Sequence, residues 1–302
     1  MPANVVQFLL PEEKPRISVV MISYNTGPAL LEAITAVIAD PDIFELIIID
    51  NGNSFAARQK LSDLCTEHDR IRLHQGHGNI GFAKGCNYGA EMARGSHFLF
   101  LNPDAILPIG SAMKLAECEQ QYDMPSVIGG RLMDVNGKEQ RGSRRSDLTP
   151  LSALISFSPL QKLPGFKSLH LENTPLPEKP IEIPVLSGAC MMMSRASFET
   201  ISGFNADYFL HVEDIELCRR VRQKGGVVVF HPHVEILHYG STSLARRQDV
   251  EFNKYRGFYR YFMDYSGAWW GKALTLLAAP FMFFAIMGRA WYLVLRQAFA
   301  GH

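Results

Sequence analysis

The chain has 302 residues, of which 47% are apolar and 20% charged; this excludes a wholly disordered polymer and fits one large domain or two small ones. Thirty basic residues balance thirty acidic ones, which argues against holding duplex nucleic acid by bulk charge, and no nucleic-acid partner is expected. The cysteines Cys65, Cys86, Cys118, Cys190 and Cys218 are odd in number and contain no C-x-x-C, so reduced thiols are expected rather than a disulfide framework or a zinc knuckle.

Residues 1–15 read as an N-terminal extension. Their apolar run is short, with no basic n-region and no small-residue cleavage site, unlike a secretory signal. Ile17 to Ser23 is β-branched and continuous, the pattern of a strand buried on both faces. Pro28 to Ala39 predicts a helix with proline in its first turn. Glu45 to Asp50 predicts a second strand, Ser54 to Glu67 a helix, and Arg70 to His74 a third strand. Phe82 to Ala93 is helical and His97 to Asn102 a fourth strand. This alternation predicts an α/β protein with a largely parallel sheet, whose ligands sit beyond the carboxyl ends of the strands.

Residues 141–184 hold seven of the 17 prolines and predict a long irregular loop, mobile or acting as a lid. Regular signals resume with the strand-like run IPVLSGACMMMS, and a helix is expected from about Val212 to Lys224, ended by Gly225 and Gly226. Near the C-terminus, sixteen residues between Lys272 and Arg289 carry no charge. As a helix they would cover about 24 Å, short of a hydrocarbon core of about 30 Å. All three tryptophans, Trp269, Trp270 and Trp291, flank this run as interfacial aromatics do. Membrane contact through 268–298, inserted or re-entrant, stands beside burial in the fold or in a homo-oligomer interface.

Six groups are candidates for chemistry or ligand binding. Asn102-Pro103-Asp104 ends the fourth strand, where a carboxylate aimed into the crevice suits Mg²⁺ or Mn²⁺; the same triplet also makes a plain turn. Glu213-Asp214 stands at a helix start, which keeps a carboxylate ionised as a general base requires, or merely caps the helix. His238, in HYGSTS, is a metal or phosphate ligand or structural; His231 and His233 are read as structural. Gly76, Gly78 and Gly81 match G-x-G-x-x-G, and Asp104 lies 23 residues after Gly81, which formally satisfies a dinucleotide fingerprint. Against it, the glycines follow the third strand rather than the first. Arg144 and Arg145 form a basic pair for a donor's diphosphate or an acceptor's phosphate, or else a solvated loop. Lys254, Arg256 and Arg260 are placed to meet anionic headgroups.

Taken in order, SVVMISYN, ELIIIDNGN, GNIGFAKGCNYG, FLFLNPD, SGACMMMSR, SGFNADYFLHVEDIELCRRVRQKGG and HYGSTS resemble a family 2 glycosyltransferase over roughly residues 16–262. Within it the chain is most similar to the bacterial rhamnosyltransferase branch. The resemblance implies an inverting enzyme of the GT-A fold, α/β with a mixed, mostly parallel central sheet, followed by an apolar helical segment. It divides the chain into a nucleotide-binding half (16–130), an acceptor and catalytic half (131–262) and a membrane-associating tail (263–302).

The resemblance also implies roles. Tyr24 and Asn25 would border the nucleotide and Asp50 would bond its base or ribose. Asn79, Gly81, Phe82 and Asn87 would line the donor pocket, with Asn102, Gly188 and Ala189 close to donor or acceptor. Asp104 would be the metal carboxylate and His238 would touch metal or diphosphate; Asp214 would be the base, and Glu213 would orient substrate. Arg144, Arg145 and Arg256 would meet phosphate or acceptor. The implied donor is a nucleotide sugar, dTDP-L-rhamnose first, and the implied acceptor a saccharide or polyprenyl-linked saccharide at the inner face of the cell membrane. Departures are FNADYF for F-D-E-x-F-F, EDIELC for E-D-x-D-L, Arg256-Gly257 for Arg-Asn, and Asn102 for the first acid of D-x-D. Two other classes stay open: an NAD-dependent oxidoreductase using the glycine cluster, and a non-catalytic nucleotide-sugar-binding protein.

Overall fold

Ile17–Ser23 forms β1, and every residue in it is buried. A computed structural model describes residues 14–156, 169–240 and 242–300. After β1 come α1 (Ala29–Ala39), β2 (Ile43–Asp50), α2 (Phe55–Glu67), β3 (Ile71–His74), α3 (Phe82–Met92), β4 (His97–Leu101) and β5 (Ala105–Ile106). Next are α4 (Ser111–Glu119), β6 (Ser126–Met133), β7 (Arg144–Arg145), α5 (Pro150–Ser156), β8 (Ile181–Glu182), β9 (Val185–Leu186) and β10 (Cys190–Ser194). The chain continues through α6 (Arg195–Thr200), α7 (Glu213–Gln223), β11 (Val227–His238), α8 (Arg247–Tyr265) and α9 (Trp269–Ala300).

The main sheet has the order β3-β2-β1-β4-β10-β6-β11-β5, with β8 also on β11. β1 pairs in parallel with β2 and β4, β2 with β3, and β6 with β11; β10 runs antiparallel between β4 and β6. Alternate β1 residues serve opposite cores. Val19 and Met21 pack in a cluster with Leu30, Ile34 and Leu115, and Val20 and Ile22 in another with Ala83, Cys86 and Leu217. Cover on both faces is why this strand is continuously apolar rather than alternating. A Cβ on Gly89 would lie 2.3 Å from Val20 Cγ1, so α3 sits on β1 at a separation that only glycine permits.

The N-terminal elements match expectation closely. Residues 141–184 do not: they contain β7, α5 and β8, and β7 pairs antiparallel with β9 through Arg144 opposite Leu186 and Arg145 opposite Val185. Two-residue strands carry no periodicity, so a proline-rich stretch hides them. The run IPVLSGACMMMS splits at Ser187–Ala189 into β9 and β10. The central part of the expected lid, 157–168, and most of the N-terminal extension lie outside the described residues.

The C-terminal helix is longer than its charge-free stretch suggests. Within α9, Trp269–Gly288 is a 20-residue segment of mean hydropathy 1.6 and only 17% burial. At 1.5 Å per residue it spans about 30 Å, the thickness of a hydrocarbon core. The charge-free stretch ends at Lys272, whereas the helix runs through it to Trp269. Thr275, Ala279 and Met287, spaced by fours and eights, are buried, and the Tyr255 and Phe283 rings meet at 5.2 Å between α8 and α9. Trp269, Leu277, Phe281 and Phe284 are exposed.

Candidate active site

Asp104 follows β4 and is buried. Its Oδ1 lies 3.2 Å from His238 Nε2, and Thr242 Oγ1 donates to its Oδ2 at 2.9 Å. The short strand β5 brings these together: it pairs with the end of β11, setting Ala105 opposite His238, and Tyr239 N–H donates to the Asp104 carbonyl at 3.0 Å. Asn102 Nδ2 approaches the same His238 Nε2 at 3.2 Å. Among the described residues no group of three or more His, Cys, Asp or Glu surrounds a metal position. One carboxylate and one imidazole suit Mg²⁺ or Mn²⁺ that completes its shell with diphosphate oxygens and water, the usual arrangement in phosphate-handling sites. The donor set therefore fits a substrate-bridging cation rather than a closed structural one.

Asp214 lies in the first turn of α7. Its Oδ2 accepts from Arg145 Nη2 at 2.5 Å and from Gly188 N–H at 2.9 Å, and its Oδ1 from Ile215 N–H at 2.8 Å. Burial pushes this carboxyl up, but the Arg145 charge and these hydrogen bonds outweigh it and hold the group below the usual carboxylate range. Oδ1 keeps a lone pair for a proton. Glu213 beside it behaves oppositely. Burial, then the Asp214 charge, pushes its carboxyl up to about 8, and its Oε2 is buried without a hydrogen-bond partner. The two adjacent acids are thus pushed in opposite directions, the pattern by which sites separate acid and base roles.

Glu213 has a consequence for stability. Between its ordinary 4.5 and about 8, the folded chain holds a proton that the unfolded chain releases, so its contribution falls as pH rises through that window. Glu213→Gln cannot ionise. Thermal melts are expected to show the variant gaining on wild type by a few degrees more at pH 8.5 than at pH 5.5; an equal difference at both would mean that Glu213 is ionised throughout.

The loop before these acids is strained. His211 and Val212 have φ of 67° and 72°, consecutive left-handed residues without glycine. Such conformations cost about 1–3 kcal/mol each and collect at functional sites. Packing holds them: Gly257 of α8 lies so near that a Cβ there would come within 2.8 Å of the His211 carbonyl. The sequence reading passed over this pair, and a β-branched valine carries no sign of positive φ.

Residues 188 and 189 join the two clusters. Gly188 N–H holds Asp214, while the Ala189 carbonyl accepts from Asn102 N–H at 2.9 Å. A Cβ on Gly188 would stand 3.2 Å from Asp214 Cβ, so what it approaches closely is the carboxylate. The Ala189 side chain itself is buried in the core, and only its backbone reaches the site.

The nucleotide side sits at the ends of β1 and β2. Tyr24 and Asn25 are partly exposed there, and Ser243 Oγ and Leu244 N–H bond to their carbonyls at 2.8 and 3.0 Å. Asp50 Oδ1 accepts from Gly52 N–H, Asn53 N–H and Asn53 Nδ2 at 2.9, 2.8 and 2.9 Å. That oxygen shapes the turn. Asn79 is exposed, and its Oδ1 accepts from Gly81 N–H at 3.0 Å. Gly81 has φ of 85°, and a Cβ there would meet Phe209 at 2.7 Å. Phe82 N–H donates to the Phe209 carbonyl at 2.7 Å, which covers the start of α3. A pyrophosphate on a glycine fingerprint needs that helix start open. The dinucleotide reading of Gly76, Gly78 and Gly81 fails on this point.

Three expected residues take other positions. Arg144 is turned inward, its guanidinium paired with Glu139 at 2.8 and 3.1 Å and bonded to Thr174, so it is not offered to a phosphate. Its alternation with Arg145 on β7 sends the two side chains to opposite faces, and only Arg145 reaches the site. Asn87 is committed to the Phe204 backbone, donating to its carbonyl and accepting from its N–H, both at 2.8 Å. Arg256 is exposed on α8, and among the described residues no hydrogen bond or ion pair joins it to the site.

The model of glycosyl transferase family 2 matches residues 18–202, more than half of the chain. The chain belongs to glycosyl transferase family 2. This family 2 chain is therefore a glycosyltransferase, and residues 170–243 also match the N-terminal domain of galactosyltransferase. It is similar to N-acetylglucosaminyl-diphospho-decaprenol L-rhamnosyltransferase of Mycobacterium tuberculosis, 24% identical over 274 residues, covering 85% of this chain and 87% of that protein. It is 23% identical over 235 residues to the rhamnosyltransferase WbbL of Escherichia coli, covering 73% of this chain and 82% of the relative. It is 26% identical over 255 residues to a low-salt glycan biosynthesis hexosyltransferase, Agl10, of Haloferax volcanii, covering 82% and 73%.

Solved structures agree on a GT-A fold. A mannosyltransferase of Pyrobaculum calidifontis in complex with GDP-Man and Mn²⁺ superposes with a TM-score of 0.57 at 13% identity, covering 95% of this chain and 81% of that one. GalNAc-T7 with UDP, GalNAc and Mn²⁺ gives 0.58 at 16% identity over 76% of this chain, which spans 44% of that longer protein.

Proposed function

We propose that this family 2 enzyme transfers L-rhamnose from dTDP-L-rhamnose, with inversion, to a hydroxyl of a saccharide carried on a polyprenyl diphosphate. One observation supports the reading: Gly188 N–H holds Asp214 while the next carbonyl, Ala189, accepts from Asn102 N–H, so Asp214 and the Asp104–His238 pair flank one short loop. The M. tuberculosis relative named for a diphospho-decaprenol acceptor supports the acceptor class, and two relatives named as rhamnosyltransferases support the sugar.

In this mechanism Asp104 and His238 would hold a divalent cation, whose charge offsets the negative charge gathering on the departing diphosphate. Tyr24 and Asn25 border the nucleotide, with Asp50 shaping the turn beneath it. Asn79, Gly81, Phe82 and Asn102 line the donor side, and Glu213, carrying its proton, orients a substrate hydroxyl. Asp214 accepts the acceptor's hydroxyl proton as that oxygen bonds to the anomeric carbon. The bond from that carbon to the diphosphate oxygen breaks, and its electron pair leaves with the nucleotide. A single in-line displacement inverts the carbon without a covalent intermediate, as in inverting glycosidases. Arg145, paired with Asp214, would meet an acceptor phosphate.

A thermal-shift screen of nucleotide sugars with Mn²⁺ tests the donor, since ligands that bind only the folded chain raise its melting temperature. dTDP-L-rhamnose is expected to give the largest shift, followed by turnover. A larger shift with UDP-galactofuranose or UDP-N-acetylglucosamine would replace it.

The apolar face of α9 supports work at the inner face of the cell membrane. Full-length protein is expected to float with anionic vesicles. Replacing Leu277, Phe281 and Phe284 by Asp removes three exposed apolar side chains from one helix face. At about 1.5–3 kcal/mol for each buried side chain, vesicle binding should fall by at least about 100-fold. Unchanged flotation would assign this face to a protein interface instead.

A further inference from the structure

We infer that Gln140 is a positioning residue for the cation site: its amide fixes the His238 ring so that the Nε2 lone pair points at Asp104. The inference rests on the reading of Asp104 and His238 as the cation's ligands.

The backbone of Gln140 is pinned on both sides, its N–H donating to the Leu132 carbonyl at 2.8 Å and its carbonyl accepting from Ser143 N–H at 3.0 Å. The side chain then brackets His238. Gln140 Nε2 donates to the His238 carbonyl at 3.4 Å, and Gln140 Oε1 lies 2.6 Å from His238 Nδ1. A carbonyl only accepts, so the amide nitrogen must face it and the amide oxygen must face the ring. An oxygen acceptor at 2.6 Å requires the proton on Nδ1. In the neutral ring Nε2 is then a bare lone pair.

The far side of the ring agrees. Asn102 Nδ2, a donor, points at that lone pair from 3.2 Å. Asp104 Oδ1 also stands 3.2 Å from it. With the neutral ring, this carboxylate and this imidazole lone pair are two electron-pair donors that a divalent cation would take, and in its absence a proton on Nε2 would relieve their repulsion. The contact is non-local, 98 residues apart in sequence, and Gly240 leaves room for it: a Cβ there would sit 3.0 Å from Gln140 Nε2. Outer partners that fix a metal-binding histidine typically change metal affinity about 10–100-fold when removed.

The test titrates Mn²⁺ by electron paramagnetic resonance into the full-length protein with saturating dTDP. Gln140→Met keeps the length and loses the acceptor; Gln140→Glu keeps an oxygen for Nδ1. The Met variant is expected to bind Mn²⁺ about 10–100-fold more weakly and the Glu variant within a few-fold of wild type. Nitrogen-15 spectra of the metal-free protein in alkaline buffer, with His238 assigned by its loss in His238→Asn, should show the proton on Nδ1 in wild type and in the Glu variant. The Met variant should show a mixture of tautomers. Wild-type Mn²⁺ affinity in Gln140→Met, with affinity lost in Asp104→Asn, would overturn the inference. Equal loss in the Met and Glu variants would overturn it too, because the acceptor oxygen would then be irrelevant. If wild type takes up no Mn²⁺, the cation reading itself falls, a result distinct from either.

Discussion

Asp214→Asn is expected to lower kcat by about 10²–10⁴-fold, the range for removing a general base, with nucleotide affinity nearly unchanged. Asparagine preserves the shape and still offers an oxygen to the Gly188 N–H, but it has no carboxylate to take the hydroxyl proton. Arg145→Gln separates the base from its partner. The guanidinium sits 2.5 Å from Asp214 Oδ2 and is the leading influence that lowers the carboxyl against burial. Without that charge the carboxyl protonates at higher pH, so the acid limb of the kcat/KM profile should move upward. The profile of the Asn variant should lose that limb. Full turnover in Asp214→Asn would remove Asp214 as the base, and no turnover of wild type with any donor would favour a binding protein; an unmoved limb in Arg145→Gln would mean that another group sets it.

Asp104→Asn is expected to abolish cation-dependent nucleotide binding. At an effective dielectric near 20, unit charges 4 Å apart attract by about 4 kcal/mol, a factor near 10³ in affinity. Calorimetry with dTDP and Mn²⁺ should show that loss in the variant, and exhaustive chelation of wild type should reproduce it, reversed by added Mn²⁺. Thr242→Val offers a graded comparison. It removes one hydroxyl donor to Asp104 Oδ2, a bond of 2.9 Å, and should cost far less. Nucleotide bound equally well by Asp104→Asn and wild type would move the phosphates elsewhere in the cleft.

The residues that the sequence reading missed share a cause. Gln140 lies 98 residues from His238, in a stretch with no recognisable motif. His211 and Val212 have ordinary side chains in an unusual backbone. A fully buried guanidinium paired with Glu139 and a partly buried one paired with Asp214 are adjacent arginines, Arg144 and Arg145, and no composition rule tells them apart. Gly188 was legible as a close-approach position, although what it approaches is Asp214.

By itself the sequence determined the local structure of the first hundred residues, because buried parallel strands and amphipathic helices write their burial into a short window of side chains. It also placed Asp104 and Asp214 at element ends, where proline and a helix start mark them. The tertiary structure alone decided which distant groups share a site. His238 reaches Asp104 through the pairing of β5 with β11, and Arg145 reaches Asp214 through β7 against β9. Those strands are two residues long at the contact, too short to carry a period. Their positions are fixed by hydrogen bonds to chain more than thirty residues away, which no local pattern encodes.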